Sequence, residues 1–506
     1  MSSEPICNVV IVGGGTAGWM AAAALGKVMA GKPGLAITLV ESEAIGTVGV
    51  GEATIPQIHA FNTMLGLDEN EFVRETHATY KLGIEFVDWR RIGHRYVHPF
   101  GSYGLDMLGV DFHHFWLRAR EAGDDSLLDD YSIAAIAGKA GKFARPTPDR
   151  PNTPLAKLGY AFQFDASRYA AFLRRHAEKS GVTRVEGKVI DIMQDGEGGF
   201  VSGVRLENGE TIEGDLFIDC SGFRSLLLGD TLEVPFTDWS KWLPCDRAVA
   251  IPCTLGGDAV PLTRSTARPA GWQWRIPLQH RIGNGHVYSS AHMEDQDALD
   301  LLLANLDGQP LAEPNRLRFR AGHRARAWEK NVVALGLAAG FLEPLESTAI
   351  HLVQAGIARL LTLFPTRAFT PREIERYNAE NERDYIDIRD FLVLHYKATE
   401  RGDSEFWRYC SALPPPDGLA DKIAMFESSG RVFREHEELF TETSWLSVMA
   451  CQGIKPGGHH PLADMLDIDE TRQRLAHIRQ VIAGTVDKMP TQEQFLAANG
   501  SAISAA

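Results

Sequence analysis

The chain has 506 residues, of which 44% are apolar and 23% charged, and its net charge is −15 at neutral pH. That length supports a large buried core and the composition is that of a globular protein; the negative charge disfavours nucleic acid, whose phosphates need a basic surface. No stretch approaches the about 20 unbroken apolar residues of a membrane helix. The opening Met-Ser-Ser-Glu-Pro lacks a basic signal region, and the six cysteines form no Cys-x-x-Cys pair, so buried reduced thiols and a cytoplasmic protein are expected.

In chain order, Asn8–Val12 reads as a strand, residues 13–18 as a glycine turn, Ala17–Met29 as a helix and Leu35–Glu41 as a second strand, which together make a βαβ unit. The turn Gly13-Gly14-Gly15-Thr16-Ala17-Gly18 has the Gly-x-Gly-x-x-Gly pattern. The first glycine permits the turn, the second lets a pyrophosphate approach the backbone, and the third lets helix and strand pack closely. The helix N-terminus attracts phosphate. Glu41, about twenty residues further on, is placed to bind ribose hydroxyls.

The segment from Phe164 reads as an amphipathic helix. Residues 188–193, 200–206 and 211–219 form a β-meander that ends in Cys220-Ser221-Gly222. This resembles the second FAD segment of flavin monooxygenases, and Asn331 to Gly340 supplies a third strand and small-residue turn. No second Gly-x-Gly-x-x-Gly is present for a nicotinamide nucleotide, so reducing equivalents are expected from elsewhere. Residues 272–277 and 285–291 read as strands of a second sheet. Thr370-Pro371 starts a helix that keeps apolar spacing to about Lys397, and shorter helices follow Pro414-Pro415-Pro416. The expected fold is α/β: an FAD-binding Rossmann-like core of the flavin monooxygenase type, a β-rich substrate lobe, and a mostly helical C-terminal part. The expected division is residues 1–365 and 366–506.

Gly271-Trp272-Gln273-Trp274-Arg275-Ile276-Pro277 contains Trp-x-Trp-x-Ile-Pro, with both tryptophans on one face of a strand. Core packing explains that spacing. With Gly13 to Trp19, the strap Gly49-Val50-Gly51-Glu52-Ala53-Thr54-Ile55-Pro56 and Phe341 to Thr348, the chain resembles the flavin-dependent halogenases of the tryptophan-halogenase type, and the resemblance implies that the two rings also keep an organic substrate from the flavin. The matches run from the N-terminus to about residue 360.

The resemblance implies an enzyme in which reduced FAD and O2 oxidise a bound chloride or bromide to hypohalous acid, which passes to a lysine beside an electron-rich aromatic substrate. The matching lysine is Lys81 and the matching glutamate is Glu346, which would stabilise the cationic ring intermediate and help remove its proton. Thr348 and Ala349 match the halide-binding positions, where an uncapped helix N-terminus is an anion site. Most tryptophan halogenases have glycine at the second of these, so halide preference is left open. Ala53, Val189, Leu337, Leu345 and Ile350 match further flavin contacts, and His98 and Phe100 the substrate pocket. A separate NAD(P)H-dependent flavin reductase is the implied partner; a homodimer is left open.

The tryptophan-specific members carry a tyrosine pair that holds the amino-acid end of their substrate, whereas this chain reads Glu442 to Gly453 without one. Without polar clamps the charges of a zwitterion would be poorly solvated, so an indole or other aromatic lacking the amino-acid head is expected. His459-His460 lacks a third ligand at suitable spacing and reads as a solvated pair, with no metal expected. The competing readings are a flavin-dependent aromatic hydroxylase, distinguished by halide dependence, and a non-catalytic FAD-fold binding protein of the Rab escort type, distinguished by failure to bind FAD.

Overall fold

The computed structural model describes residues 4–44, 51–196, 198–257 and 259–503. Where the sequence suggested one division near residue 365, the chain clusters into two compact units, each made of three segments. The first unit runs to His77 and adds Phe164–Pro244 and Arg318–Ile386; the second takes Ala78–Gln163, Cys245–Leu317 and the rest from Asp387.

The first unit is built on a six-stranded sheet. Its spatial order is Thr183–Glu186, Ala36–Glu41, Asn8–Val12, Leu216–Asp219, Val332–Ala334 and Trp328–Glu329. All pairings are parallel except that of the Trp328–Glu329 edge strand. Val9 to Val12 are buried, a near-continuous apolar run of the kind that a sheet covered on both faces requires. Numbered along the chain, the order is 3-2-1-4-6-5. The direction of winding therefore reverses between Asn8–Val12 and Leu216–Asp219, and a ligand crevice forms outside the carboxyl ends of strands at such a switch. The expected meander is present as a separate antiparallel sheet, Val189–Gln194, Val201–Leu206 and Thr211–Glu213.

The second unit carries a seven-stranded sheet. From its Asn315–Arg318 edge the order is Arg247–Cys253, Ile282–Tyr288, Gly271–Pro277, Thr263–Arg268, Gly83–Val87 and Arg95–Pro99. Trp272 and Trp274 share a face, with ring centroids 6.2 Å apart, and the Trp274 ring lies over Gly285 on the paired strand. A Cβ at Gly285 would overlap that ring, so glycine is required there. The helix expected from Thr370 runs Pro371–Lys397, and later helices include Asp417–Ser429, Glu442–Cys451 and Ile468–Asp487. No helix among the described residues is long and apolar enough to cross a membrane.

Candidate active site

In the first unit three chain segments converge on the switch point. The Cys220 N–H donates to the Val12 carbonyl, and the Leu335 N–H donates to that of Asp219. The Asp219 carboxylate accepts from the N–H groups of Ser221, Leu227 and Leu228, which locks the second turn. Gly13, at φ +113°, lies against the Cys220 carbonyl, and a Cβ at Gly18 would overlap the Gly13 carbonyl. Gly15 is different. It precedes the helix Thr16–Val28, no side chain caps that helix, and a Cβ at Gly15 would meet nothing within 4 Å. An open, uncapped N-terminus beyond glycines pressed against their surroundings fits a pyrophosphate. Glu41 ends the next strand with its carboxylate directly over Gly14, where any side chain would overlap it.

The remaining flavin candidates are distributed along the same unit. Ala53 is buried on Gly51–Ala53, next to Glu52, whose carboxyl is pushed up to about 7 by desolvation. Gly49 and Val50 of the strap lie outside the described residues. Val189 opens the meander, and Leu337 lies half-buried in the turn Gly336–Ala338. A Cβ on Gly336 would touch Ala17, which brings the third segment against the first helix. Leu345 and Ile350 are buried on either side of the halide candidates. Gly18→Ala is expected to weaken FAD binding at least about tenfold and to lower stability by about 1–3 kcal/mol, because the helix must retreat from the backbone of Gly13; fluorescence titration and thermal melting measure the two effects.

Glu346 is fully buried at the end of the turn Pro344–Glu346. Ser347 follows with φ +59°, a left-handed conformation that a non-glycine residue holds only under local constraint. It swings the chain into the helix Ala349–Thr362, whose N-cap Thr348 makes no side-chain capping bond. The first-turn amides of that helix therefore keep their donor capacity at a buried terminus, which suits a halide. His351 in this turn is held down to about 4, chiefly by burial, so it adds no positive charge at neutral pH.

In the second unit, Lys81 is fully buried, against the ordinary expectation of a solvated lysine. Its strand Thr79–Lys81 pairs with Ala161–Gln163 and is pinned from a distance. Thr79 Oγ1 donates to the Pro277 carbonyl at 2.6 Å, Gln163 Nε2 donates to Thr79 Oγ1, and the Tyr80 N–H donates to Gln492 Oε1. The Tyr80 ring stacks on Phe143 at 3.9 Å. Lys81 Nζ lies 5.3 Å from the centroid of Phe100. From there a row of rings continues: Phe100 to His98 at 6.5 Å, His98 to Phe391 at 5.6 Å, and Phe391 stacked on Phe440 at 3.8 Å, with Trp445 edge-on. The structure thus brings Lys81, His98 and Phe100 together. It adds Phe391, Phe440 and Trp445, for which the sequence offered only apolar helical spacing and a lone aromatic in a polar loop.

Within the segment 442–453, Trp445, Ser447 and Gln452 turn their polar atoms inward, while Glu442 stays exposed beside Arg434. Trp445 Nε1 donates to Glu438, Tyr103 donates to Ser447 Oγ at 2.9 Å, and Gln452 bridges the Tyr96 hydroxyl and the carbonyls of His395 and Ala398. Trp272 is buried with Trp89 beside it, so the packing account of that ring holds whatever further role it has.

His459-His460 is not the solvated pair the sequence suggested. His459 is largely buried, with one ring nitrogen 3.0 Å from Glu121 and the other 3.0 Å from Asp464. The His460 N–H donates to His114 Nδ1. Asp111, His113 and His114 have ligand atoms within 4.8 Å of one another. However, His113 Nε2 donates to Gly430, and His114, held down to about 3 chiefly by burial, is neutral and already accepts at Nδ1. A neutral ring that accepts at one nitrogen carries its proton on the other, which leaves His114 no lone pair for a cation.

A family model described as tryptophan halogenase matches residues 8–468. Among solved structures, the chain is 47% identical to Xcc4156, a flavin-dependent halogenase from Xanthomonas campestris, over 99% of each chain with a TM-score of 0.94. It is 46% identical to BrvH, a flavin-dependent halogenase from Brevundimonas sp. BAL3, over 98% of this chain and 99% of that one, also with a TM-score of 0.94. It is 37% identical to the tryptophan 6-halogenase ThaL of Streptomyces albogriseolus, over 97% of this chain and 98% of that protein. The family model spans most of the chain and a relative of known activity is alike over nearly all of it, so the chain belongs to the tryptophan-halogenase family of flavin-dependent halogenases.

Proposed function

We propose that the chain uses reduced FAD, O2 and chloride or bromide to halogenate an electron-rich aromatic, an indole in the first instance, that carries no free amino-acid head. The bound flavin supplies hypohalous acid from oxygen and halide. The glycine turn of residues 13–18 would hold the pyrophosphate of its dinucleotide and Glu41 the ribose of its adenosine half, and the amides at Thr348 and Ala349 would hold the halide. Lys81 receives hypohalous acid through its ammonium and presents electrophilic halogen to the ring stacked at Phe100 and His98. Glu346 stabilises the cationic ring intermediate and takes up its proton. Trp272 and Trp274 keep the organic substrate from the flavin, which disfavours hydroxylation.

The observation that carries this reading is the buried ammonium at the head of an aromatic row. Burying a lysine is costly, and the halogenase reading gives this one a chemical use. The test is product formation with and without bromide. Halogenated product that disappears without halide supports the reading, and a hydroxylated product in its place overturns it. Electron supply gives a further expectation. The chain alone is expected not to turn over with NADH, and adding a separate NAD(P)H-dependent flavin reductase is expected to start it; sustained halogenation without the reductase would contradict this.

The substrate class rests on the segment 442–453, whose Ser447, Trp445 and Gln452 are committed to internal hydrogen bonds. Releasing them to clamp a zwitterion would leave their present partners unsatisfied, at about 1–3 kcal/mol each. In competition at equal concentration, indole is expected to be halogenated faster than tryptophan, at its most reactive carbon, C3. Faster reaction of tryptophan at a single benzo-ring position would reveal a clamp elsewhere in the chain.

A further inference from the structure

The strand Thr183–Glu186 lies parallel to Ala36–Glu41, with Leu39 opposite Arg184 and Glu41 opposite Glu186. Residues two apart on a strand share a face, so Arg184 and Glu186 stand beside Leu39 and Glu41. Arg184 Nε donates to Glu41 Oε1, while Nη2 donates to Glu43 at 3.0 Å and to Glu186. The other oxygen of Glu41 accepts from Trp19 Nε1 at 3.3 Å. Arg174 lies over the Trp19 ring at 5.8 Å and 3.8 Å from Glu41 Oε1. The hydrogen bond it donates to Glu41 is the main reason the guanidinium of Arg184 holds its proton more strongly than usual.

We propose that Arg184 and Trp19 orient the Glu41 carboxylate as a two-oxygen acceptor for the vicinal diol of an adenosine ribose, and so are positioning residues for the adenosine half of the cofactor. This rests on the reading of the glycine turn as an FAD site. An ionised carboxylate has about four acceptor positions. Arg184 takes one on the first oxygen and Trp19 one on the second, leaving one on each, side by side, which is the pattern two neighbouring hydroxyls require. The carboxylate lies over Gly14, beside the open helix terminus at Gly15. A free carboxylate there would repel a pyrophosphate, and the guanidinium of Arg184 offsets that charge. The tryptophan that follows the glycine turn thereby acquires a chemical role besides packing. Glu43 and Glu186 engage Nη2 of the same guanidinium, whereas Nε serves Glu41.

The test is a binding titration without turnover, following flavin fluorescence with FAD and with its analogue lacking the adenosine 2′-hydroxyl. The wild-type chain is expected to bind the analogue about tenfold more weakly, the effect of one hydrogen bond to a charged group. In Arg184→Gln and in Trp19→Phe, FAD binding is expected to weaken by about ten- to a hundredfold and the discrimination to shrink to within about twofold. Arg184→Lys, which keeps the charge but not the fork, is expected to fall between. Thermal melting checks that the variants are folded; should Arg184→Gln unfold, Trp19→Phe and Arg184→Lys carry the comparison. Full discrimination retained by the folded variants overturns the positioning role alone. A wild-type chain that binds both flavins equally overturns the assignment of Glu41 to the diol, and one that binds no FAD overturns the site reading itself.

Discussion

Replacing Lys81 with alanine is expected to reduce halogenation at least about 10³-fold while leaving the oxidation of reduced flavin by oxygen within about twofold of wild type. The magnitude follows from what the ammonium contributes. Removing one preorganised charged donor from a water-excluded site costs about 10² to 10³ in rate, and in the proposed mechanism the donor also carries the electrophile, so no second group substitutes for it. The split between the two rates follows from the order of steps in the proposed mechanism, in which Lys81 acts only after reduced flavin has reacted with oxygen and hypohalous acid has left it. Lys81→Met keeps the bulk of the stem and removes only the charge, and it is expected to behave like alanine; this separates loss of chemistry from loss of packing. Stopped-flow absorbance reads flavin oxidation and mass spectrometry reads product. Wild-type-like halogenation by either variant sinks the proposed role, and a parallel loss of flavin oxidation shows that the substitution damaged more than the relay.

Lys81 also shows where a sequence stops being legible. Thr79-Tyr80-Lys81 is too short for a periodic signal, and its burial is decided by Pro277 and Gln492, residues about two hundred and four hundred positions away. Local pattern could not reveal that. The glycine turn is the opposite case. Its chemistry is more local, because Gly14 and Gly18 answer to Glu41 and to the Gly13 carbonyl within the same βαβ unit, and only Gly13 itself lies against a residue far along the chain, Cys220. Strand Asn8–Val12 and helix Pro371–Lys397 were therefore readable from spacing and caps. Arg184 was not, since its partner Glu41 is reached only through the neighbouring strand. Phe391 and Phe440 stack although nearly fifty residues separate them, and nothing in either local sequence marks the pair. His459 was misread for the same reason: the carboxylate of Glu121 that removes it from solvent comes from a distant helix.

Glu346→Gln is expected to slow halogenation by about 10² to 10³-fold, with halide and flavin affinities changed by less than about threefold. The substitution keeps the shape and hydrogen-bonding reach of the side chain but removes its charge and its ability to take a proton. In the proposed mechanism both matter only once the ring has become a cation, so the interaction is made in the transition state rather than with bound substrate. Such a change lowers kcat and kcat/KM together and leaves KM little altered. The surroundings favour a large effect, because Glu346 is fully buried and is fixed by the left-handed Ser347 that follows it. A carboxylate held in a dry, rigid place acts on developing charge without reorganising. The same geometry warns against Glu346→Ala, which would leave a cavity beside Ser347 and disturb the helix terminus assigned to halide. Glu346→Asp completes the series: it keeps the charge on a shorter stem and is expected to retain more activity than glutamine. Steady-state kinetics at saturating halide, with halide titrated separately, distinguish the cases. A glutamine variant with unchanged kcat would remove Glu346 from the chemistry, and one whose only defect is weaker halide binding would move it to the support of Thr348 and Ala349.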